Sequence, residues 1–253
     1  MITAGVDGGS RAVKAVIAAD GRIIGHAVLD SGPEPAVVAA SALAAACAAA
    51  GVPRSAITRL VATGYARAVI PGADRRVTEI TCHARGIAAL LPGTRAVVEV
   101  GGQDSKVIRL DPAGRVADFA MNDRCAAGTG RFLEVVAARL GTDLDGFAAL
   151  AGSAGEPAAI SSMCVVFAES EIVGLMAQGH AREALAAGVV AAVAARVAAL
   201  AGRELTGPIA FTGGVARIPG FADALARALG GAVAVPPQPQ LSGAFGAALI
   251  AAG

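Results

Sequence analysis

The feature that most constrains this chain is a pattern written twice. Asp7-Gly8-Gly9-Ser10 is followed by Lys14, seven residues after the acid, and Glu99-Val100-Gly101-Gly102 by Lys106, again seven after the acid. Each acid closes an apolar run and each lysine opens another. Each pair then meets a Gly-Arg turn, Gly21-Arg22 or Gly114-Arg115. Strands are expected at 3–6, 14–18 and 22–28, and again at 96–100, 106–110 and 115–121. Two strand–turn–strand–turn–strand units with acids, glycines and lysines in register predict an internal duplication. Residues 1–93 should form the first half, with a C-terminal helix at 241–253 packing back on it, and 94–240 the second.

The remaining segments alternate. Helices are expected at 36–50, 79–91, 132–140, 143–151, 165–177, 183–201, 220–228 and 242–251. Further strands are expected at 59–62, 208–212 and 233–235. Strands alternating with helices point to an α/β fold, and the initial triplets point to mixed sheets.

Composition narrows the function classes. A net charge of +1 and 3% aromatic residues without Trp give no case for nucleic acid. The apolar runs at 36–51 and 188–202 are short or Ala-rich, the second with Arg196, and read as buried helices rather than membrane spans. The segment from Met1 to Asp7 lacks the layout of a secretory leader, so a cytoplasmic location is expected.

Three glycine turns directly follow strands: Gly8-Gly9-Ser10, Gly101-Gly102-Gln103 and Gly213-Gly214-Val215. Without Cβ atoms, backbone N–H groups can approach a phosphate closely. Asp7 and Glu99 stand where a carboxylate could hold Mg²⁺ or its waters. No GxxxxGK[ST] loop or dinucleotide fingerprint is present.

Of Cys47, Cys82, Cys125 and Cys164, no two form a CxxC. Cys125 precedes a Gly-Thr-Gly turn and an expected helix, and Cys164 follows Ser161-Ser162-Met163 and precedes another. A thiol at a helix start meets unpaired N–H groups and the positive end of the macrodipole. Two thiolates are too few for an iron–sulfur cluster, which usually takes four, but a two-fold dimer doubles them. The residues alone leave these two cysteines as ligands or as structural thiols. Cys47 reads as a small core residue, Cys82 as packing with His83 a nearby polar contact, and Glu169 and Glu171 as partner contacts or, preferably, as solvated.

Together these stretches resemble the actin, hexokinase and heat-shock-chaperone ATPase superfamily. Narrower stretches are Ala62-Thr63-Gly64-Tyr65, Thr81-Cys82-His83-Ala84, Glu99-Val100-Gly101-Gly102-Gln103-Asp104, residues 122–132, residues 161–171, Thr212-Gly213-Gly214-Val215-Ala216 and Ser242-Gly243-Ala244. Within the superfamily these resemble the activator ATPases of 2-hydroxyacyl-CoA dehydratases and the ATPase subunits of benzoyl-CoA reductase.

The resemblance implies two duplicated ribonuclease-H-like domains that bind Mg·ATP. It also implies a homodimer sharing one [4Fe–4S] cluster ligated by Cys125 and Cys164 of both copies. A ferredoxin or flavodoxin would reduce the cluster, and ATP would drive one electron into a dehydratase or benzoyl-CoA reductase-like partner. By position, Ser10, Arg11, Ala12, Val13 and Lys14 would form the first phosphate loop, and Gly101, Gly102 and Gln103 the second. Gly213, Gly214 and Gln240 would line the nucleotide, and Asp7, Glu99 and Asp104 would be catalytic. Glu99 stands where the family usually has Asp, and Gly8 where it has a bulkier apolar residue. A small-molecule kinase with structural cysteines is the alternative from another class.

Overall fold

A computed structural model of the 253-residue chain describes every residue except Met163 and Arg203, and Val165 through its backbone alone. The chain divides into two compact units, Met1–Val97 with Ile108–Phe119 and Pro236–Gly253, and Val98–Val107 with Ala120–Val235.

In the first, β1 (Ile2–Gly8), β2 (Ala12–Ala19) and β3 (Arg22–Asp30) form an antiparallel meander. After α1 (Pro35–Ala50), β4 (Arg59–Thr63) returns parallel to β1, and the two-residue β5 (Arg75–Arg76) pairs parallel to β4. The sheet order is β3-β2-β1-β4-β5.

Alternation along the strands sorts side chains to the two faces. Ala4, Val6, Val13, Ala15 and Ile17 pack with Ala39, Ala42, Leu43 and Ala46 of α1. Cys47 belongs to this core, as expected. On the other face Val16 and Ala18 meet Ala244, Phe245 and Ala248 of the C-terminal helix α8 (Ser242–Ala252). The Thr3 hydroxyl donates to the Ala248 carbonyl at 2.8 Å, fixing α8 against β1. Helix α2 (Glu79–Leu90), N-capped by Thr78, lies beside α8.

The second sheet contains β6 (Ala96–Val100), β7 (Ser105–Leu110), β8 (Val116–Asn122), β9 (Ile209–Thr212) and β10 (Val233–Ala234), in the order β10-β9-β6-β7-β8. Read from its other edge, this is the first sheet's order, third, second, first, fourth, fifth. The duplication expected from the paired acids and lysines is thus a duplication of topology.

Five helices lie between β8 and β10: α3 (Gly130–Arg139), α4 (Leu144–Ser153), α5 (Val165–Ala177), α6 (Arg182–Leu200) and α7 (Phe221–Leu229). Among the described residues, α6 alone is long and apolar enough to cross a membrane, with mean hydropathy 1.8. Its row Leu185, Val189, Val193 and Val197 is nevertheless buried, and the helix packs on α4 and α7. Phe211 of β9 stacks on Phe221 of α7, ring centroids 5.5 Å apart.

Candidate functional site

Strand register places the first acid. Asp7 pairs across β1–β2 with Lys14 and across β1–β4 with Thr63. The Lys14 ammonium lies 3.4 Å from the Asp7 carboxylate, which is nearly buried. The turn between them is shorter than the expected loop: Gly9, Ser10 and Arg11 connect the strands, while Ala12, Val13 and Lys14 already belong to β2. The Ser31 hydroxyl donates to the Gly9 carbonyl and the Ser31 N–H to that of Arg11, holding the turn.

The second acid repeats the arrangement more tightly. Lys106, 2% exposed, donates to Glu99 at 2.8 Å and lies 2.8 Å from Asp104. The turn of Gly101, Gly102, Gln103 and Asp104 is closed by the Gly101 N–H donating to the Asp104 carbonyl. The carbonyls of Gly101 and Gly102 in turn accept from the N–H groups of Gly130 and Arg131. The turn therefore satisfies the first orphan donors of α3.

A further repeat escaped the sequence reading. In each sheet the fourth strand ends in Thr-Gly, Thr63-Gly64 and Thr212-Gly213, and both glycines have positive φ, +85° and +96°. A Cβ at Gly64 would collide with the Asp7 carboxylate, and one at Gly213 with the Val100 carbonyl and Glu99. Each glycine lets the chain close over the acid of its own sheet. The signal was available, because the same dipeptide closes both strands.

Around Asp7 the first unit adds groups that spacing does not reveal. A Cβ at Gly243 would lie 3.2 Å from both an Asp7 carboxylate oxygen and His83 Nε2. Buried His83 hydrogen bonds through Nδ1 to the Ser242 hydroxyl at 2.9 Å. Gly8, where a bulkier residue was expected, leaves room for Ala66 and Ile70, about 3 Å from where its Cβ would sit. Half-buried Gln240 occupies the short turn leading into α8. The structure thus groups Asp7 and Lys14 with the Gly9 turn, and, separately, Glu99, Asp104 and Lys106 with the Gly101 turn and Gly213.

The four thiols divide sharply. Cys47 and Cys82 are buried, whereas Cys125 and Cys164 are exposed. Burial pushes the Cys82 thiol up to about 12, reinforced by the Asp7 and Glu79 carboxylates. Its protonated form therefore contributes stability that is complete below the ordinary value of 9.0 and is lost as pH rises toward 12. Under anaerobic alkylation near pH 9, Cys125 and Cys164 of the native apo-protein should label fast, and Cys47 and Cys82 only after unfolding; equal labelling of all four would refute this.

Cys164 is the N-cap residue of α5, its carbonyl accepting from the Ala168 N–H. Cys125 departs from expectation. It lies four residues before Thr129, the N-cap of α3, because a turn at 126–129, with Gly128 at φ +84°, intervenes. Within the stretch 161–171, Met163 lies outside the described residues.

The two glutamates expected to be solvated are engaged. Glu169 pairs with Arg139 at 2.6 Å. Glu171 accepts from the Ser161 N–H and hydroxyl and from the Ser162 N–H, at 2.7–2.8 Å. Its partial burial opposes ionisation, but these hydrogen bonds prevail and hold the carboxyl at about 2.

A sheet topology used twice, with a carboxylate at the end of each first strand and a lysine folded back onto it, is the duplicated actin-like α/β fold. More narrowly, the chain belongs to the BadF/BadG/BcrA/BcrD ATPase family, which it matches over residues 4–251. It is 45% identical to the activator of lactoyl-CoA dehydratase of Anaerotignum propionicum, over 99% of this chain and 97% of that one. Its structure resembles the activator of the 2-hydroxyisocaproyl-CoA dehydratase from Clostridium difficile with bound ADPNP, with TM-score 0.94 and 40% identity over 99% and 94% of the chains. A ROK family glucokinase from Streptomyces griseus, 16% identical with TM-score 0.61 and 100% and 99% coverage, shares the fold.

Proposed function

We propose that this chain is an ATP-driven activator of a 2-hydroxyacyl-CoA dehydratase. It acts in the cytoplasm as a homodimer in which Cys125 and Cys164 of both copies hold one four-iron cluster. The observation that carries this reading is the division of thiols in a member of this ATPase family: the two exposed cysteines stand in loops leading into helices, and the other two are core. Two exposed cysteines are half of the four thiolates that a cluster usually takes, so a second copy would complete the set. A reducing cytoplasm suits four free thiols.

Helix α5 supports the dimer. Val166 and Phe167, directly after Cys164 and Val165, are 66% and 67% exposed, and Val173 is 52% exposed. Apolar side chains in such number beside a ligand are suited to a second copy. When bound, the cluster supplies the single low-potential electron that the dehydratase receives, with a ferredoxin or flavodoxin as the donor.

Within the first unit, the Gly9–Arg11 turn beside Asp7 is suited to phosphate and Gln240 to the nucleotide; within the second, the Gly101–Gln103 and Gly213–Gly214 turns beside Glu99 are suited to phosphate in the same way. Asp7 would hold Mg²⁺ or its waters, which would place the attacking water. The looser Asp7–Lys14 contact leaves that carboxylate available, whereas Glu99 and Asp104, both held on Lys106, stiffen the second phosphate turn.

The test is iron and sulfide analysis with EPR on protein purified without oxygen, beside Cys125→Ala and Cys164→Ala. The parent should hold about one four-iron cluster per dimer, and both variants should lose it. A parent that binds no iron after reconstitution would overturn the cluster and favour a small-molecule kinase of the same superfamily.

A further inference from the structure

A ligand thiol is only as well placed as the backbone that carries it. The loops bearing Cys125 and Cys164 are both held by polar side chains. The Asn122 carboxamide, at the end of β8, donates from Nδ2 to the carbonyls of Cys125 and Ala127, both at 2.8 Å. It clasps the backbone of the cysteine itself. Thr129 closes the same turn by donating from Oγ1 to the Ala126 carbonyl at 2.6 Å.

On the other loop the chemistry is inverted. The Glu171 carboxylate accepts from two successive backbone N–H groups and one hydroxyl, at Ser161 and Ser162. Seven residues are close to two helical turns, so Glu171 stands on the same face of α5 as Cys164, below it. Residues 161 and 162 therefore lie back along the helix that Cys164 caps. The low pKa of this carboxyl, about 2, keeps it an acceptor across the physiological range.

We propose that Asn122 and Glu171 are the positioning residues of the two ligand cysteines. They fix, from outside the metal shell, the backbone from which each thiol projects before any cluster arrives. The inference rests on the cluster reading above, and it assigns roles to two residues with no part in nucleotide binding. Outer groups that orient ligands in this way typically alter metal retention by about 10- to 100-fold when removed.

The experiment uses Glu171→Ala, Glu171→Gln, Asn122→Ala and Asn122→Asp in the full-length chain. In apo-protein, hydrogen exchange should show the Ser161 and Ser162 amides losing protection in Glu171→Ala, and less so in Glu171→Gln, which keeps one acceptor oxygen. In cluster-loaded protein, transfer of iron to a chelator should be about 10-fold faster in both alanine variants, with an altered EPR line shape. Asn122→Asp should be worse than Asn122→Ala, because a carboxylate would face two carbonyls with no proton to donate.

Iron release, EPR and exchange all unchanged in variants of a cluster-bearing parent would overturn the proposal. A parent that takes up no iron would overturn the cluster reading instead. The exchange measurement would then still decide, by protection kept or lost, whether Glu171 holds its loop.

Discussion

Replacing Lys106 with methionine should destabilise the protein severely. The Lys106 side chain is 2% exposed and ion-paired at 2.8 Å with both Glu99 and Asp104. Methionine keeps much of the volume but leaves two carboxylates near one another with their shared cation gone. Breaking such a buried pair from one side costs about 3–5 kcal/mol. For a chain of this length that corresponds to a fall in Tm on the order of 10 °C. Adding Glu99→Gln and Asp104→Asn to Lys106→Met should recover much of the loss, because the uncompensated charge is then gone. A calorimetric Tm for Lys106→Met within about 2 °C of the parent would show that Lys106 does not secure this turn.

The second large effect is expected on turnover. Asp7→Asn preserves shape and can still contact Lys14, but it removes the charge that would hold Mg²⁺ and orient water. ATP hydrolysis should fall by about 100-fold or more. Nucleotide binding, followed with a fluorescent ATP analogue, should weaken far less, since the backbone of the glycine turns is intact. Parental turnover in Asp7→Asn would remove Asp7 from the mechanism and return the role to the second acid.

Much of the fold was legible in the sequence because its strongest signals are local. Gly-Gly turns, Gly-Arg turns and apolar alternation place the first three strands of each sheet, and the helix expected at 165–177 is observed over the same residues. Strand β5 was missed because Arg75-Arg76 carries no apolar signature. Its place is set by backbone donation from Asp74 and Val77 to β4 carbonyls and by the Asp74 carboxylate accepting from the Leu60 N–H at 2.7 Å.

Legibility of the candidate site divides the same way. The acids, lysines and glycine turns sit at fixed short spacings, so their partnership could be read. Glu171 and Ser161 are ten residues apart across a loop and a helix start, a distance at which no periodicity links a carboxylate to the amides it binds. Asn122 is only three residues from Cys125, yet its rotamer, not its spacing, turns it onto the loop backbone. The Gly-Thr-Gly turn after Cys125 was legible, but α3 begins at Gly130, two residues before the expected start, because the last glycine of that turn is already helical.

The seating of α8 on β1 has a consequence for biosynthesis. The first unit needs residues from both ends of the chain, whereas the second is complete once Val235 has been made. A nascent chain leaving the ribosome thus has all of its later-encoded unit before it can finish its earlier one. Until residues 242–252 emerge, the β-sheet face carrying Val16 and Ala18 lacks the Ala244, Phe245 and Ala248 that cover it. That interval exposes apolar surface to holding chaperones, and stop codons just short of Ser242 should yield chains that aggregate even though every residue of the second unit is present.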